Sequence, residues 1–239
     1  MTQTPDLHLP EHVSRLREGE NFTFACHPGV PCFTECCHQL DLALSPYDVL
    51  RLARELKISG KDFLHRYAVI EHQEGDIFPH VYLGMIDDGK ASCPFVSERG
   101  CLIYPGRPAA CRTYPLGRGA WQDGNGRDHA FFVLIKEPHC QGFVAPSEIT
   151  LELWINDQGL ADYYSANDLL ISLLQHEKIK QGFRPSAEQR DLFLAVLYNL
   201  EEFGKTSGTD STAMTDLELL KSAVAWLTEK YFNKQTTSV

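Results

Sequence analysis

The distribution of cysteines limits this chain more than any other feature. All 8 lie between Cys26 and Cys140, and four of them crowd the run Cys26-His-Pro-Gly-Val-Pro-Cys32-Phe-Thr-Glu-Cys36-Cys37. The others are Cys93, Cys101, Cys111 and Cys140, and the chain beyond Cys140 has none. Thiols at this density are either paired as disulfides or committed to a metal. Three observations weigh against disulfides. The 239 residues, 43% hydrophobic, suffice for a core without covalent staples. Met1 to Pro10 has neither the basic start nor the apolar segment of an export signal. Cys36 and Cys37 are adjacent, a spacing that strains a disulfide, whose Cα atoms prefer to be well separated. The expectation is a reduced, cytoplasmic protein with a thiolate metal site.

Charge and hydropathy narrow the partners. The net charge of −10, from 32 acidic and 22 basic residues, argues against a surface that binds nucleic acid by neutralising phosphates. The longest apolar runs, such as Phe131 to Ile135, are far too short to span a bilayer. The expected partner is therefore another protein or a redox partner, of unknown identity.

The pattern of elements predicts an α+β fold. It consists of a small cysteine-rich metal-binding domain with short strands and helices over residues 1–145, then a mostly helical extension over 146–239. Leu40 to Leu44 is strand-like. Ser45-Pro46-Tyr47-Asp48 opens a helix with a cap, a proline suited to the first turn and an acid at the positive end of the dipole. Val49, Leu50, Leu52, Ala53 and Leu56 supply its apolar face. Ser59-Gly60 is expected to close it, with a second short helix from Asp62 to Tyr67. Ile77 to Met85 is β-like, and Asp87-Asp88-Gly89-Lys90 is a turn signal, so a hairpin should carry Cys93 back to the first cysteine run. Residues 101–104 are a short extended piece, Pro108 opens one helical turn through Arg112, residues 117–128 read as a loop, and His129 to Lys136 as a strand. Ser147 is expected to cap a helix through Trp154. Further helices are expected over Asn167 to Lys178, from Ser186 to Phe203 and from Thr215 to Phe232, with Lys205 to Thr212 as a polar linker.

The spacings constrain the chemistry. Five residues separate Cys26 from Cys32, three separate Cys32 from Cys36, and none separates Cys36 from Cys37. Adjacent side chains diverge in helix and strand alike, so Cys36 and Cys37 suit two different metal atoms, or one ligand beside a spare thiol, better than one tetrahedral zinc. Eight thiolates could hold two zinc ions or one iron–sulfur cluster with spare thiols, and no ferredoxin spacing is matched. Arg107 and Arg112 flank Cys111 and are candidates to offset thiolate charge around the cofactor. His27, His38 and His139 neighbour cysteines, but with eight thiols present they are assigned to the surroundings of the site. His176-Glu177-Lys178-Ile179-Lys180 starts like a zinc-protease helix and then has Lys180 where a histidine is needed.

Taken in order, Cys26…Cys32-Phe-Thr-Glu-Cys36-Cys37, Cys93-Pro94-Phe95, Gly100-Cys101-Leu102-Ile103-Tyr104, Arg107-Pro-Ala-Ala-Cys111-Arg-Thr-Tyr-Pro115 and Cys140 resemble the YkgJ-type cysteine-cluster family over roughly residues 22–143. The helix opening at Ser45 is similar to the family's segment after the paired cysteines. The chain departs from the commoner pattern, which has two-residue gaps at its start. The resemblance implies zinc or iron chelation. Members are often described as iron–sulfur oxidoreductases, and a related branch methylates flagellin lysines. The leading expectation is thus an iron–sulfur protein with a redox or electron-transfer role. Its metal residues would be Cys26, Cys32, Cys36, Cys37, Cys93, Cys101, Cys111 and Cys140, forming or surrounding one cluster. The alternatives are a zinc-stabilised interaction module and a protein-lysine methyltransferase-like enzyme.

Overall fold

The structure is a computed structural model, and it describes residues 9–17, 19–123, 125–144, 147–206 and 214–233. The chain forms two compact units, each built from two segments. The first comprises Met1–Leu40 and Met85–Ala161, the second Asp41–Gly84 and Asp162–Val239. In chain order, the first unit begins with β1 (Val13–Leu16) and β2 (Asn21–Thr23). The chain then crosses to the second for α1 (Pro46–Leu56), α2 (Gly60–Tyr67), β3 (Ala68–Glu71) and β4 (His80–Leu83). It returns for β5 (Val96–Ser97), β6 (Gly100–Cys101), α3 (Ala109–Thr113), β7 (Leu116–Gln122), β8 (Asp128–Ile135), β9 (Glu148–Thr150) and α4 (Leu151–Asp157). The end of the chain is helical: α5 (Ala161–Leu174), α6 (Glu177–Lys180), α7 (Ala187–Leu197), α8 (Leu200–Thr206) and α9 (Asp216–Thr228). The fold is α+β with a helical C-terminal portion.

The first unit contains every cysteine. Its largest sheet has the order β1-β8-β7, antiparallel throughout, with Val13 opposite Ile135 and Leu116 opposite Leu134. The strand β7 occupies residues expected to form a loop. Their composition signals a loop because glycine serves turns, but here glycine serves close packing. A Cβ on Gly119 would collide with the Phe131 ring of β8, and one on Gly117 would meet Val133 Cγ2 at 2.9 Å. The true turn is shorter. Asp123 Oδ1 accepts from the Asn125 and Arg127 amides, and its other oxygen pairs with His129 at 3.0 Å.

The segment after Cys140 also differs from expectation. Glu148 to Thr150 pairs with Asn21 to Thr23, and Thr150, not Ser147, caps the following helix by accepting from the Leu153 amide. Extended pairing along β2 takes these residues before a helix can start. β9 and α4 belong to the first unit, where they close its aromatic core. Phe24 packs edge-to-face on Tyr114, Phe143 and Trp154, Phe22 does the same on Trp154, and the Trp154 indole N–H donates to the Thr113 carbonyl.

In the second unit α1 has the expected start. Ser45 accepts from the Asp48 amide, and the Asp48 carboxylate accepts from the Ser45 amide in return, a reciprocal cap. Lys57, in the left-handed region at φ 56°, ends α1, and Ser59 opens α2 by accepting from the Asp62 amide. Ser59-Gly60 is therefore a helix start where a stop was expected. Gly60 is required there, since a Cβ would collide with the Tyr198 carbonyl oxygen. Val49, Leu52, Phe63, Leu173, Leu197, Leu220 and Leu227 are fully buried, and Phe78 stacks on Phe193 at 4.5 Å. The helices from Asn167, Ser186 and Thr215 are each present with revised ends. Ser186 and Thr215 make complete capping boxes, and α7 stops at Leu197 before α8 begins. Most of the Lys205 to Thr212 linker lies outside the described residues. Among the described residues no helix is long and apolar enough to cross a membrane.

Candidate metal centre

Four stretches of the first unit carry the thiols, and backbone hydrogen bonds tie them together in two places. At the first, the Ala25 amide donates to the Gly142 carbonyl at 2.9 Å, which sets Cys26 beside the strip that carries Cys140. The Gln141 amide donates to Cys32 Sγ at 3.1 Å. At the second, the Cys93 amide donates to the Cys37 carbonyl at 2.8 Å, His38 forms a bridge with Ser92, and the Gln39 amide donates to the Ala91 carbonyl. The turn at Asp87 to Lys90 makes this possible. Gly89 takes φ 78°, Asp88 Oδ1 accepts from the Lys90 and Ser92 amides, and Ile86 bridges Ser92. The hairpin expected from the sequence is thus reduced to a single bridge, yet it brings Cys93 to Cys37.

Cys101 joins the second place through β5 and β6, where Val96 lies opposite Cys101 and the Leu102 amide donates to the Phe95 carbonyl. Gly100 makes the corner. Its φ of 107° is a conformation that side chains resist, and a Cβ would meet the Phe33 ring at 3.0 Å. Phe33 belongs to the first cysteine run, so this contact also locks that run against the Cys93–Cys101 loop.

Glu35 to Cys37 form one turn of 3-10 helix behind Thr34 at φ 71°. Three residues per turn point neighbouring side chains about 120° apart. Cys36 and Cys37 accordingly face different neighbours. Cys36 interacts with Cys26, and Cys26 with Cys32 and Cys140 as well. Cys37 interacts with Cys93 and Cys111, and Cys93 with Cys101. Cys26, Cys32, Cys36 and Cys140 are thus neighbours, as are Cys37, Cys93, Cys101 and Cys111, and the two groups meet at the hydrogen-bonded pair Cys36-Cys37.

Ionisation follows this crowding. Burial, then Cys36, Cys32 and Cys140, push the Cys26 thiol up to about 11. The Cys37 S–H donates to Cys36 and holds it near 7 against the opposing effect of burial. The same bond, with burial and the neighbouring thiols, pushes Cys37 far above its ordinary value. Burial also raises Cys93, with Cys101 adding to it, and raises Cys101, which Arg107 partly offsets.

The two arginines have different situations. The Arg107 guanidinium lies over the Tyr104 ring, 3.6 Å from its centroid, donates to the Tyr104 carbonyl and to Gln158 Oε1, and sits beside Cys101 and Cys111. Arg112 directs three donors to main-chain oxygens, those of Arg107 at 2.9 Å, Gln158 at 2.7 Å and Pro105. It clamps the loop that carries Arg107. The histidines next to cysteines have local roles: His27 Nδ1 accepts from the Gly29 amide, and His38 Nδ1 lies 3.3 Å from the Glu35 carbonyl.

Two groups at the site escaped sequence reading. One is the Gln141 amide, since a main-chain donor leaves no sequence signal. The other is Tyr114, whose hydroxyl is buried and makes no well-formed hydrogen bond, although the Cys140 thiol lies before it and Cys36 is nearby. Burial, then Cys140, keep this phenol protonated far beyond neutral pH. Its place in the Arg107 to Pro115 segment was the available clue.

The donor chemistry suits a thiophilic metal: eight thiols and none in a disulfide. An amide already aimed at sulfur and a buried hydroxyl beside the Cys140 thiol are the kind of outer support that metal-bound thiolates use. Among the described residues no three His, Cys, Asp or Glu side chains already converge on a single metal position. Residues 25–141 match the model of the CxxCxxCC family, described as "Putative zinc- or iron-chelating domain". That is the cysteine-cluster family the sequence resembles, and it assigns this region a metal-binding role with zinc or iron. No curated protein and no solved structure matches the chain.

Proposed function

We propose that the first unit is a two-centre metal protein, with Cys26, Cys32, Cys36 and Cys140 serving one centre and Cys37, Cys93, Cys101 and Cys111 the other, and that its role is iron–sulfur redox or electron transfer with a protein partner. The observation that carries this reading is that Cys36 and Cys37, although hydrogen-bonded to each other, have different further neighbours. One 3-10 turn gives each set one member of the pair, so each set has the four thiolates that an iron–sulfur cluster or a tetrahedral zinc takes. Metal binding would draw the thiols of a set together and hold as thiolates groups that burial raises at Cys26 and that the bond to Cys36, with burial, raises at Cys37.

Two features favour iron–sulfur over zinc held only for folding. The cysteine unit has its own aromatic core around Phe24 and Trp154, so it does not depend on a metal for burial. The residues Cys26, Cys36 and Cys111 are exposed, which puts this edge of the site within reach of a partner. An iron–sulfur cluster, when bound, takes up and releases single electrons. The chain's own residues orient the sulfurs, donate hydrogen bonds to them from Gln141, and place the Arg107 cation beside Cys101 and Cys111.

Anaerobic purification of the full chain, followed by iron, zinc and acid-labile sulfide analysis, tests this. Brown protein with iron and sulfide in matching amounts is expected. Colourless protein with two zinc ions per chain would replace the redox role with the zinc reading, and protein with neither would remove metal binding.

A further inference from the structure

We infer that Tyr114 is a positioning residue for the first centre: its hydroxyl donates a hydrogen bond to the metal-bound sulfur of Cys140. This rests on the two-centre reading above and specifies how one of the centres is held.

The ring of Tyr114 is fixed independently of any metal. It follows α3 directly, its amide donates to the Ala110 carbonyl at 3.2 Å, and the ring packs edge-to-face on Phe24 with centroids 5.6 Å apart. Phe24 is held in turn by Phe143 and Trp154. The hydroxyl at the end of this rigid mount is buried and makes no well-formed hydrogen bond, which is costly for a polar atom out of water. Its neighbours are Cys140 and Cys36, both members of the first set. A neutral thiol is a weak acceptor, whereas a thiolate bound to metal keeps negative charge on sulfur and accepts well. Loading the first set therefore turns the weak Cys140 acceptor beside the hydroxyl into a strong one.

The same set already receives a main-chain donor, the Gln141 amide on Cys32 Sγ. Tyr114 on Cys140 would add a second donor held in the fold outside the thiols themselves. Such donors fix ligand direction and spread the charge on sulfur, and loss of one commonly lowers metal affinity about 10-fold or more. In an iron–sulfur centre they also shift the reduction potential.

The test is Tyr114→Phe in the full chain, which keeps the ring contacts and removes only the hydroxyl. Apo-protein is titrated with Co²⁺ under reducing conditions, and the two equivalents are resolved by competition with a chelator and by the thiolate-to-cobalt absorption. The expected result is one equivalent weakened about 10-fold and the other unchanged, with the circular dichroism of the wild type. The weakening should vanish when Cys140→Ser is already present. Equal affinities in wild type and variant, or the same loss with and without Cys140→Ser, overturn the inference.

If Tyr114→Phe does not fold, the wild type decides. Zinc-loaded protein should show a slowly exchanging Tyr114 hydroxyl proton by NMR that disappears on chelation, and its absence from loaded protein overturns the inference. A wild type that binds no metal instead overturns the two-centre reading. A wild type that binds two equivalents to which Tyr114 is indifferent removes this inference alone.

Discussion

The two thiol sets are equal in number but differently supported. Around Cys26, Cys32, Cys36 and Cys140 the nearby donors are neutral: the Gln141 amide on Cys32 and the Tyr114 hydroxyl beside Cys140. Around Cys37, Cys93, Cys101 and Cys111 there is a cation, Arg107, and the scaffold is main-chain pairing between Cys37 and Cys93 and across β5 and β6. A cation acts over distance and stabilises any thiolate near it, while a hydrogen bond acts on one sulfur in one direction. Two centres of one donor type would therefore be tuned apart by their surroundings, and in the proposed arrangement they would meet at the Cys36-Cys37 peptide bond.

The sharpest way to break this comparison is to change its boundary. Cys36→Ser and Cys37→Ser should each lose about one of the two metal equivalents, but from different centres, as metal analysis combined with alkylation of the released thiols will show. Release of the same remaining thiols by both variants would mean a single centre. A smaller effect is expected for Arg107→Gln, which should weaken the second centre about 10-fold and leave the first unchanged in a chelator competition. Equal weakening of both would remove the distinction between cation and neutral donors.

Gly100→Ala probes the scaffold of the second set. It places a side chain at φ 107° against the Phe33 ring, and urea unfolding should report a loss of about 1–2 kcal/mol. The smallest effect concerns metal-free, reduced protein. Cys36, with its ionisation near 7, should alkylate increasingly as pH rises through neutrality, while Cys26, near 11, stays largely protonated and slow up to that range. Equal rates at pH 8 would contradict the hydrogen bond from Cys37 to Cys36.

Much of this division has a trace in the sequence, and the remainder shows what sequence does not encode. The adjacent pair Cys36-Cys37 suggested two metal atoms or one ligand beside a spare thiol, and the Asp87 to Lys90 turn indicated how Cys93 approaches Cys37. Ser45, Ser186 and Thr215 marked helix starts because capping is local. The strand β7 was hidden because glycine signals a loop by its freedom, while Gly117 and Gly119 are there to admit Val133 and Phe131 from a strand distant in sequence. The start of α4 was misplaced for a similar reason, since pairing with β2 claims Glu148 to Thr150. Arg107 and Arg112 are indistinguishable as letters beside Cys111. Only the fold turns one toward sulfur and the other onto three carbonyls.

Native mass spectrometry of the anaerobically purified full chain, with thiol labelling before and after chelation, separates two centres from one. The expected result is the mass of the chain plus two metal centres, the eight cysteines protected while loaded, and release in two groups of four. A chain at its bare mass with all eight cysteines freely labelled, or eight cysteines released together from one centre, would contradict it.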